Sequence, residues 1–514
     1  MSAAEVVPKD PQSADFTLAV VGTGMMGRGI AQVVAQAGIR VLLHDSAPAA
    51  VPAARDSVAG ALAKLVEKGR LSAADAEKAV SRLEVASELQ ALARCDLVVE
   101  AIIENVEAKR ELFARLEGIV GANCVLASNT STLSITAIAA GCKRPERVAG
   151  LHFFNPVPLM KVVEVVDGAL TAPIVGETLC ALVRRIGHRA VRAKDSPGFI
   201  INHAGRGFGP EALRMLGEGI AEFWEIDRVL RECAGFRMGP FELFDLVGLD
   251  VSHAVIENIY RQYYDEPRYR PSSLTAPRVA AGLVGRKAGR GFYRYEKGVQ
   301  ETMPVAAAPA WADHKRPVWI SARGLGASLK ELAARLGAAV EDSQRPGEKA
   351  LCLVAPIGED TTTAALAEGL DPARTVAVDC LFPLEKHRTL MTTPVTGAKA
   401  REAAHALFAS DGAGVTIIHD SPGFVCQRVV AQIVNVATDM AQQRIATPQD
   451  IDLGVTLGLG YPKGPLAWGD ALGPPRVLEI LNALHGFYGD PRYRPSAWLK
   501  RRAMLGVSLL TPEA

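Results

Sequence analysis

The apolar residues of this chain gather in short dense runs, separated by stretches of helical periodicity. Residues 18–21 (LAVV) have the length and composition of a buried strand, and a helical stretch rich in Ala and Val leads to a second strand at 39–43. Residues 49–68 read as a helix, with another from Ser72. Residues 95–103 (CDLVVEAII) form a buried strand, 106–116 an amphipathic helix and 124–127 a short strand. Residues 147–154 (RVAGLHFF) give a further strand, and 161–166 (KVVEVV) a later alternating one. Strand–helix alternation of this kind predicts a parallel, doubly wound sheet.

The texture changes after Asp195-Ser196-Pro197-Gly198. Residues 199–260 carry long helical patterns, and a mainly helical domain ends near Tyr295. An internal repeat then appears. Asp195 to Phe199 (DSPGF) recurs as Asp420 to Phe424, Gly239-Pro240 as Gly464-Pro465, and Pro267 to Ser272 (PRYRPS) as Pro491 to Ser496. Matches of this length, 225 residues apart for the first two and 224 for the third, mean that the helical domain is duplicated. The expected architecture is an α/β domain over 16–196, a first all-α copy over 197–297 and a linker rich in Ala and Pro over 298–316. A degenerate α/β segment over 317–419 and a second all-α copy over 420–510 complete it. The degenerate segment has strand-like runs at 318–321, 351–355 and 375–378, with only Arg323-Gly324-Leu325-Gly326 as a glycine loop.

The chain has 514 residues and a formal net charge of +1. That balance offers no electrostatic case for a nucleic acid or a membrane surface, so any basic site is local. No apolar run reaches membrane-spanning length. Residues 1–15 read as a disordered leader without the apolar core of a signal peptide, and the final residues are not a peroxisomal address. Eight cysteines are scattered singly, which fits reduced thiols in a cytoplasmic protein rather than metal ligands or disulfides. No metal is expected.

Chemistry enters between the first two strands. Gly22, Gly24 and Gly27 stand as G-x-G-x-x-G, with Met25 and Met26 between them, directly after a strand and before a helix. Such a loop turns tightly, lets a pyrophosphate approach the backbone and offers it a helix N-terminus. Asp45 lies 21 residues past Gly24, at the end of the second strand, where a carboxylate accepts bonds from ribose hydroxyls and repels a 2′-phosphate. The cofactor implied is NAD rather than NADP. Oxidation of an alcohol by NAD also needs a base. His152 ends its strand at the edge where open sheets bind ligands, and Glu164 sits in an otherwise apolar strand, where a lone carboxylate is costly unless paired. The residues alone leave a second reading open: a surface Glu on an edge strand and a core His bonded to backbone.

The fingerprint VGTGMMG, ASNTSTLSIT (127–136), LHFFNPVPLMKVVEVV (151–166), DSPGFIIN (195–202) and GRKAGRGFYRY (285–295) together resemble the L-3-hydroxyacyl-CoA dehydrogenase family over about residues 16–297, and weakly over the second copy. The resemblance implies oxidation of (S)-3-hydroxyacyl-CoA to 3-oxoacyl-CoA by NAD. His152 is then the base oriented by Glu164, with Ser131 and Asn202 at the reacting group. It further implies cofactor contacts by Glu104, Lys109, Ser131, Asn155 and Lys287, and coenzyme A contacts by Ser57 and Lys64. The long, duplicated form is similar to bacterial enzymes of phenylacetate and short-chain acyl-CoA catabolism, so 3-hydroxybutyryl-CoA and 3-hydroxyadipyl-CoA both fit. In the second copy Asp379, Phe382, Met391 and Gln427 fall opposite His152, Asn155, Glu164 and Asn202, which leaves one active site per chain. The helical copies would pair within the chain as a pseudo-dimer, or between chains as a homo-oligomer. Two other functions are weighed: a related dehydrogenase of a sugar acid, and a non-catalytic NAD-binding structural protein like some lens crystallins.

Overall fold

The computed structural model describes residues 6–305 and 307–513. Strands β1 (Thr17–Val21), β2 (Arg40–His44), β3 (Leu83–Val85), β4 (Leu97–Glu100), β5 (Val125–Ser128), β6 (Val148–Phe153), β7 (Val162–Asp167) and β8 (Arg189–Lys194) form one sheet in the order β3-β2-β1-β4-β5-β6-β7-β8. Helices α1 (Met25–Gln36), α2 (Ala50–Glu67), α3 (Ala73–Ser81), α4 (Val106–Glu117), α5 (Ile135–Ala139) and α6 (Pro173–Arg185) alternate with the strands. All neighbours are parallel except β7, which runs against β6. The expected parallel order is broken there because the connection from β6 to β7 is short and holds no crossover helix. The core sits between sheet and helices, with Leu18, Val20, Val99, Leu151, Val163 and Val165 packed against Ile30, Val34 and Leu179.

Helices then dominate: α7 (Ile201–Ala204), α8 (Gly209–Gly217), α9 (Phe223–Glu232), α10 (Pro240–Val247), α11 (Leu249–Gln262) and α12 (Thr275–Ala280). Strand β9 (Tyr295–Glu296) closes the first copy and pairs with β10 (Val299–Gln300); β10 and the short helix α13 (Trp311–His314) lie in the stretch expected to be a linker. A second, five-stranded sheet follows, ordered β11 (Val318–Ile320), β12 (Leu351–Val354), β13 (Thr375–Val378), β14 (His387–Thr392) and β15 (Gly414–His419). It carries α14 (Gly326–Arg335), α15 (Thr361–Ala367) and α16 (Ala398–Phe408). The second helical copy is α17 (Cys426–Gln442), α18 (Pro448–Gly458), α19 (Pro465–Leu472), α20 (Pro474–Tyr488) and α21 (Ala497–Leu505).

The chain forms two compact units. One runs to His203 and also takes residues 443–459; the other takes 204–442 and continues from Gly460. Helix α18 therefore belongs to the first unit, where it packs on β7 and β8 and where Lys194 N donates to Ile445 O at 2.8 Å. In the second unit α9, the counterpart of α18, packs on β14, and His419 N donates to Ile220 O at 2.9 Å. The two helical copies also exchange matching bonds: Arg268 Nη2 to Arg494 O at 3.1 Å and Arg492 Nη2 to Arg270 O at 2.7 Å.

Two expectations need correction. Residues 6–15 are not a disordered leader: Val6 is buried, Val7 N donates to Asn123 Oδ1 and Arg185 reaches Ser13 O at 2.9 Å. Residues 1–5 lie outside the described residues. In the second sheet, Val378 pairs with Leu390 and Asp379 N donates to Thr389 O. Thr389, two residues before Met391, therefore occupies the place of Glu164; a sequence comparison across a loop of altered length does not fix strand register.

Candidate active site

His152 and Glu164 are register partners on the antiparallel pair β6–β7. Side chains of directly opposed residues stand on one face, and His152 Nδ1 lies 2.5 Å from Glu164 Oε2. Glu164 is fully buried and β7 lies between β6 and β8, so the reading of a surface Glu on an edge strand is overturned. The other oxygen, Oε1, accepts from the N–H groups of Ile200 and Ile201 at 2.9 and 2.8 Å. Three donors thus satisfy a carboxylate that burial would otherwise penalise. With Nδ1 turned to Glu164, Nε2 is the nitrogen left for proton exchange. Phe154 and Phe199 flank the ring, at 4.3 and 6.0 Å between centroids.

The β1–α1 loop has the shape a dinucleotide needs. Gly22 has φ +94°, and a Cβ there would stand 2.6 Å from Ala101 O; a Cβ on Gly27 would stand 1.8 Å from Gly22 O. Both positions are closed to any side chain. Gly24 is different: a Cβ there meets nothing within 4 Å, so the loop is open on its outer side. No side chain caps α1, which leaves its first N–H groups for phosphate oxygens. Asp45 Oδ2 accepts from Thr23 N and Oγ1 at 2.7 and 3.0 Å, and Oδ1 accepts from Ala47 N at 3.0 Å. Burial pushes this carboxyl up, but the bonds from Thr23 and Ala47 outweigh it and hold it below its ordinary value. Met25 is exposed and Met26 half-buried beside this loop.

Beyond β4 lies a polar cluster. Buried Glu100 holds Lys109 Nζ at 2.6 Å, Ser128 Oγ at 2.6 Å and Ile102 N at 2.7 Å. Glu104 reaches the same lysine at 3.4 Å and accepts from Thr130 Oγ1 at 2.7 Å and Ser131 N at 2.9 Å. Burial acts to raise the Glu104 carboxyl, yet the Thr130 bond and the Lys109 charge together keep it lowered. Ser131 Oγ touches Glu104 only at 3.3 Å, and Asn202 Nδ2 reaches Ser131 O at 3.4 Å. Asp195 ties the chain before Asn202 to this region, accepting from Ser134 Oγ, Ile135 N and Thr136 N at 2.7, 3.1 and 2.8 Å.

The family model for the 3-hydroxyacyl-CoA dehydrogenase NAD-binding domain matches residues 17–196, and that for its C-terminal domain matches 198–295 and 423–508. The chain belongs to the 3-hydroxyacyl-CoA dehydrogenase family. It is 40% identical to a 3-hydroxyadipyl-CoA dehydrogenase of Escherichia coli, over 95% of this chain and 98% of that protein. The human mitochondrial hydroxyacyl-coenzyme A dehydrogenase is 39% identical over 54% of this chain and 90% of its own. A crystal structure of a 3-hydroxybutyryl-CoA dehydrogenase from Escherichia coli superposes with a TM-score of 0.85 and 38% identity, covering 96% of this chain and 98% of the other.

As an NAD-dependent dehydrogenase of this family, the chain uses the first sheet to gather most of the residues singled out in its sequence. Met25, Ser57 and Asn155 line one cleft of about 180 Å³ between α1, α2 and the loop after β6. Lys64 is exposed on α2, two turns beyond Ser57, and is not part of that lining. Lys287 is not in the first unit; in the second it pairs with Asp250 at 2.7 Å. Glu100, Thr23 and Arg28 are missed by the sequence reading. Glu100 carried the same signal as Glu164, a carboxylate inside an apolar run. Among the described residues no group of three or more His, Cys, Asp or Glu could hold a metal, and no helix is long and apolar enough to cross a membrane.

Proposed function

We propose that this chain interconverts (S)-3-hydroxyacyl-CoA and 3-oxoacyl-CoA at one site in its first unit, with His152 as general base. The supporting observation is the buried His152–Glu164 pair, at 2.5 Å with its second oxygen held by two amides. Gly22, Gly24, Gly27 and Asp45 hold NAD, with Met25, Met26, Glu104, Lys109 and Asn155 as further contacts. Bound NAD supplies the acceptor for the C3 hydride. His152 Nε2 takes the hydroxyl proton, and Glu164 fixes the tautomer and stabilises the imidazolium. In reverse, protonated His152 and the Ser131 hydroxyl polarise the C3 carbonyl, and Asn202 orients the thioester chain. Ser57 and Lys64 bind coenzyme A.

The acyl chain is short or ends in a carboxylate. Likeness over nearly the whole chain to a protein named for 3-hydroxyadipyl-CoA favours the dicarboxylic substrate. The helical copies act as a pseudo-dimer within one chain, and unpaired cysteines suit a reducing cytoplasm. NADH oxidation with acetoacetyl-CoA and with 3-oxoadipyl-CoA, beside His152→Gln, tests the reading. Turnover of either that collapses in the variant supports it, and a higher kcat/KM for 3-oxoadipyl-CoA supports the dicarboxylic chain. A wild type inactive on both, or a fully active variant, contradicts it.

A further inference from the structure

The cleft beside the active-site strand holds a charge that no role above absorbs. Arg28 is half-buried on α1 and is the one charged residue in the lining of the 180 Å³ cleft, facing Ser57 of α2 and the loop of Pro156 and Val157. It follows Met25 by three residues and precedes Gln32 by four, so these side chains share one helix face. The wall opposite is fixed, because α1 meets the loop closely: a Cβ on Gly29 would lie 3.0 Å from Val157 Cβ. Among the described residues no carboxylate stands within ion-pair distance of Arg28, and its guanidinium makes no hydrogen bond. The planar guanidinium fork matches a phosphate in bidentate fashion.

We infer that Arg28 binds a phosphate of the coenzyme A nucleotide, beside Ser57. The inference rests on the acyl-CoA reading above. A ligand that reacts at His152 and reaches Ser57 passes the loop three residues beyond His152, which is a wall of this cleft. The chemistry sought is a phosphate ester or pyrophosphate on a long neutral arm, which coenzyme A provides. The loop at Gly24, one turn earlier, serves the NAD phosphates instead.

Calorimetric titration of coenzyme A, 3′-dephospho-coenzyme A and NADH into wild type, Arg28→Ala and Arg28→Lys tests this without turnover. Arg28→Ala should weaken coenzyme A binding about tenfold or more, with NADH affinity unchanged and Arg28→Lys intermediate. A deficit that disappears with 3′-dephospho-coenzyme A assigns the 3′-phosphate, and one that persists assigns the pyrophosphate; both support the inference. Unchanged coenzyme A affinity in Arg28→Ala, or an equal loss for NADH, overturns it. Coenzyme A binding that depends on Arg28 in a protein inactive on both thioesters would sink the reaction reading and leave this one standing.

Discussion

In the first sheet the antiparallel pair β6–β7 sets His152 opposite Glu164; in the second, β13–β14 sets Asp379 opposite Thr389. The frames correspond closely. Asp195 and Asp420 each receive bonds from the start of a helix, Asp420 from Thr361 N and Thr362 N at 2.8 and 3.1 Å. Gly326 stands to Ser321 O as Gly27 stands to Gly22 O, at 1.9 and 1.8 Å for an added Cβ. What differs is chemistry. Arg323 takes the place of Gly24, and its loop borders a space of about 70 Å³ walled by Glu359, Glu368 and Glu479. Carboxylates there repel phosphates. Thr389 Oγ1 has no hydrogen-bond partner among the described residues, while Gln427 holds Asp379 at 2.9 Å and Gly358 N at 2.8 Å. Residues that the backbone needs are shared by the two copies, and the buried His–Glu pair stands in the first sheet and not at the matching place in the second.

The helices laid on the two sheets sharpen the contrast. On β7 and β8, α18 presents Gly454 and Gly458, so close that added Cβ atoms would lie 3.2 Å from Ile200 Cγ2 and 2.5 Å from Ile201 Cδ1. Those two residues donate the amides that hold Glu164. The matching positions of α9 are Val229 and Cys233. The second copy thus braces the His–Glu pair of the first from behind.

The largest expected effect comes from exchanging the paired positions. His152→Gln should lower kcat by about a thousandfold or more, whereas Asp379→Asn should leave turnover unchanged; steady-state NADH oxidation by both variants measures the contrast. Next is the bond between the helical copies. Arg428 and Glu211 are fully buried at 2.6 Å, and Arg428 also holds Tyr493 and Glu218 at 2.8 Å. Arg428→Met removes the close ion pair and leaves buried Glu211 with the Tyr493 hydroxyl at 2.6 Å and Arg492 at 3.8 Å, and should cost the second unit about 3 kcal/mol in urea unfolding.

Asp379 gives a smaller effect with a pH signature. Burial pushes its carboxyl up to about 6, against bonds from Gln427 and Leu381. A raised acid holds its proton more tightly folded than unfolded, so its contribution is full below about pH 4 and lost as pH rises through 6. Asp379→Asn keeps the acceptor oxygen that both donors use. It should therefore stabilise the second unit by up to about 3 kcal/mol at neutral pH and not at all near pH 4, as denaturant unfolding at both pH values would report. Smallest is Gly458→Val, which presses on Ile201 and should lower kcat on the order of tenfold while the KM for NADH stays fixed.

The division between legible and hidden features follows physical lines. The glycine loop between strand and helix was readable from its spacing, whereas His152 and Glu164 alone left two readings open until the register of β6 and β7 set them side by side. Duplication was readable from long identical segments. Which copy a helix packs upon was not, because helical periodicity marks an apolar face and not its partner. That is why α18 joins the first unit unannounced, and why the Arg428–Glu211 bond has no local signal. Residues 6–15 looked like a tail because polar, irregular sequence gives no period, although Val6 is buried.

The central claim is that one of the two sheets carries a cofactor site. Titration of NADH into the full chain, followed by nicotinamide fluorescence, tests it most directly. The account predicts one NADH per chain, with binding lost in Gly24→Val and retained in Arg323→Ala. Two equivalents per chain, or one that survives Gly24→Val and disappears with Arg323→Ala, would contradict it.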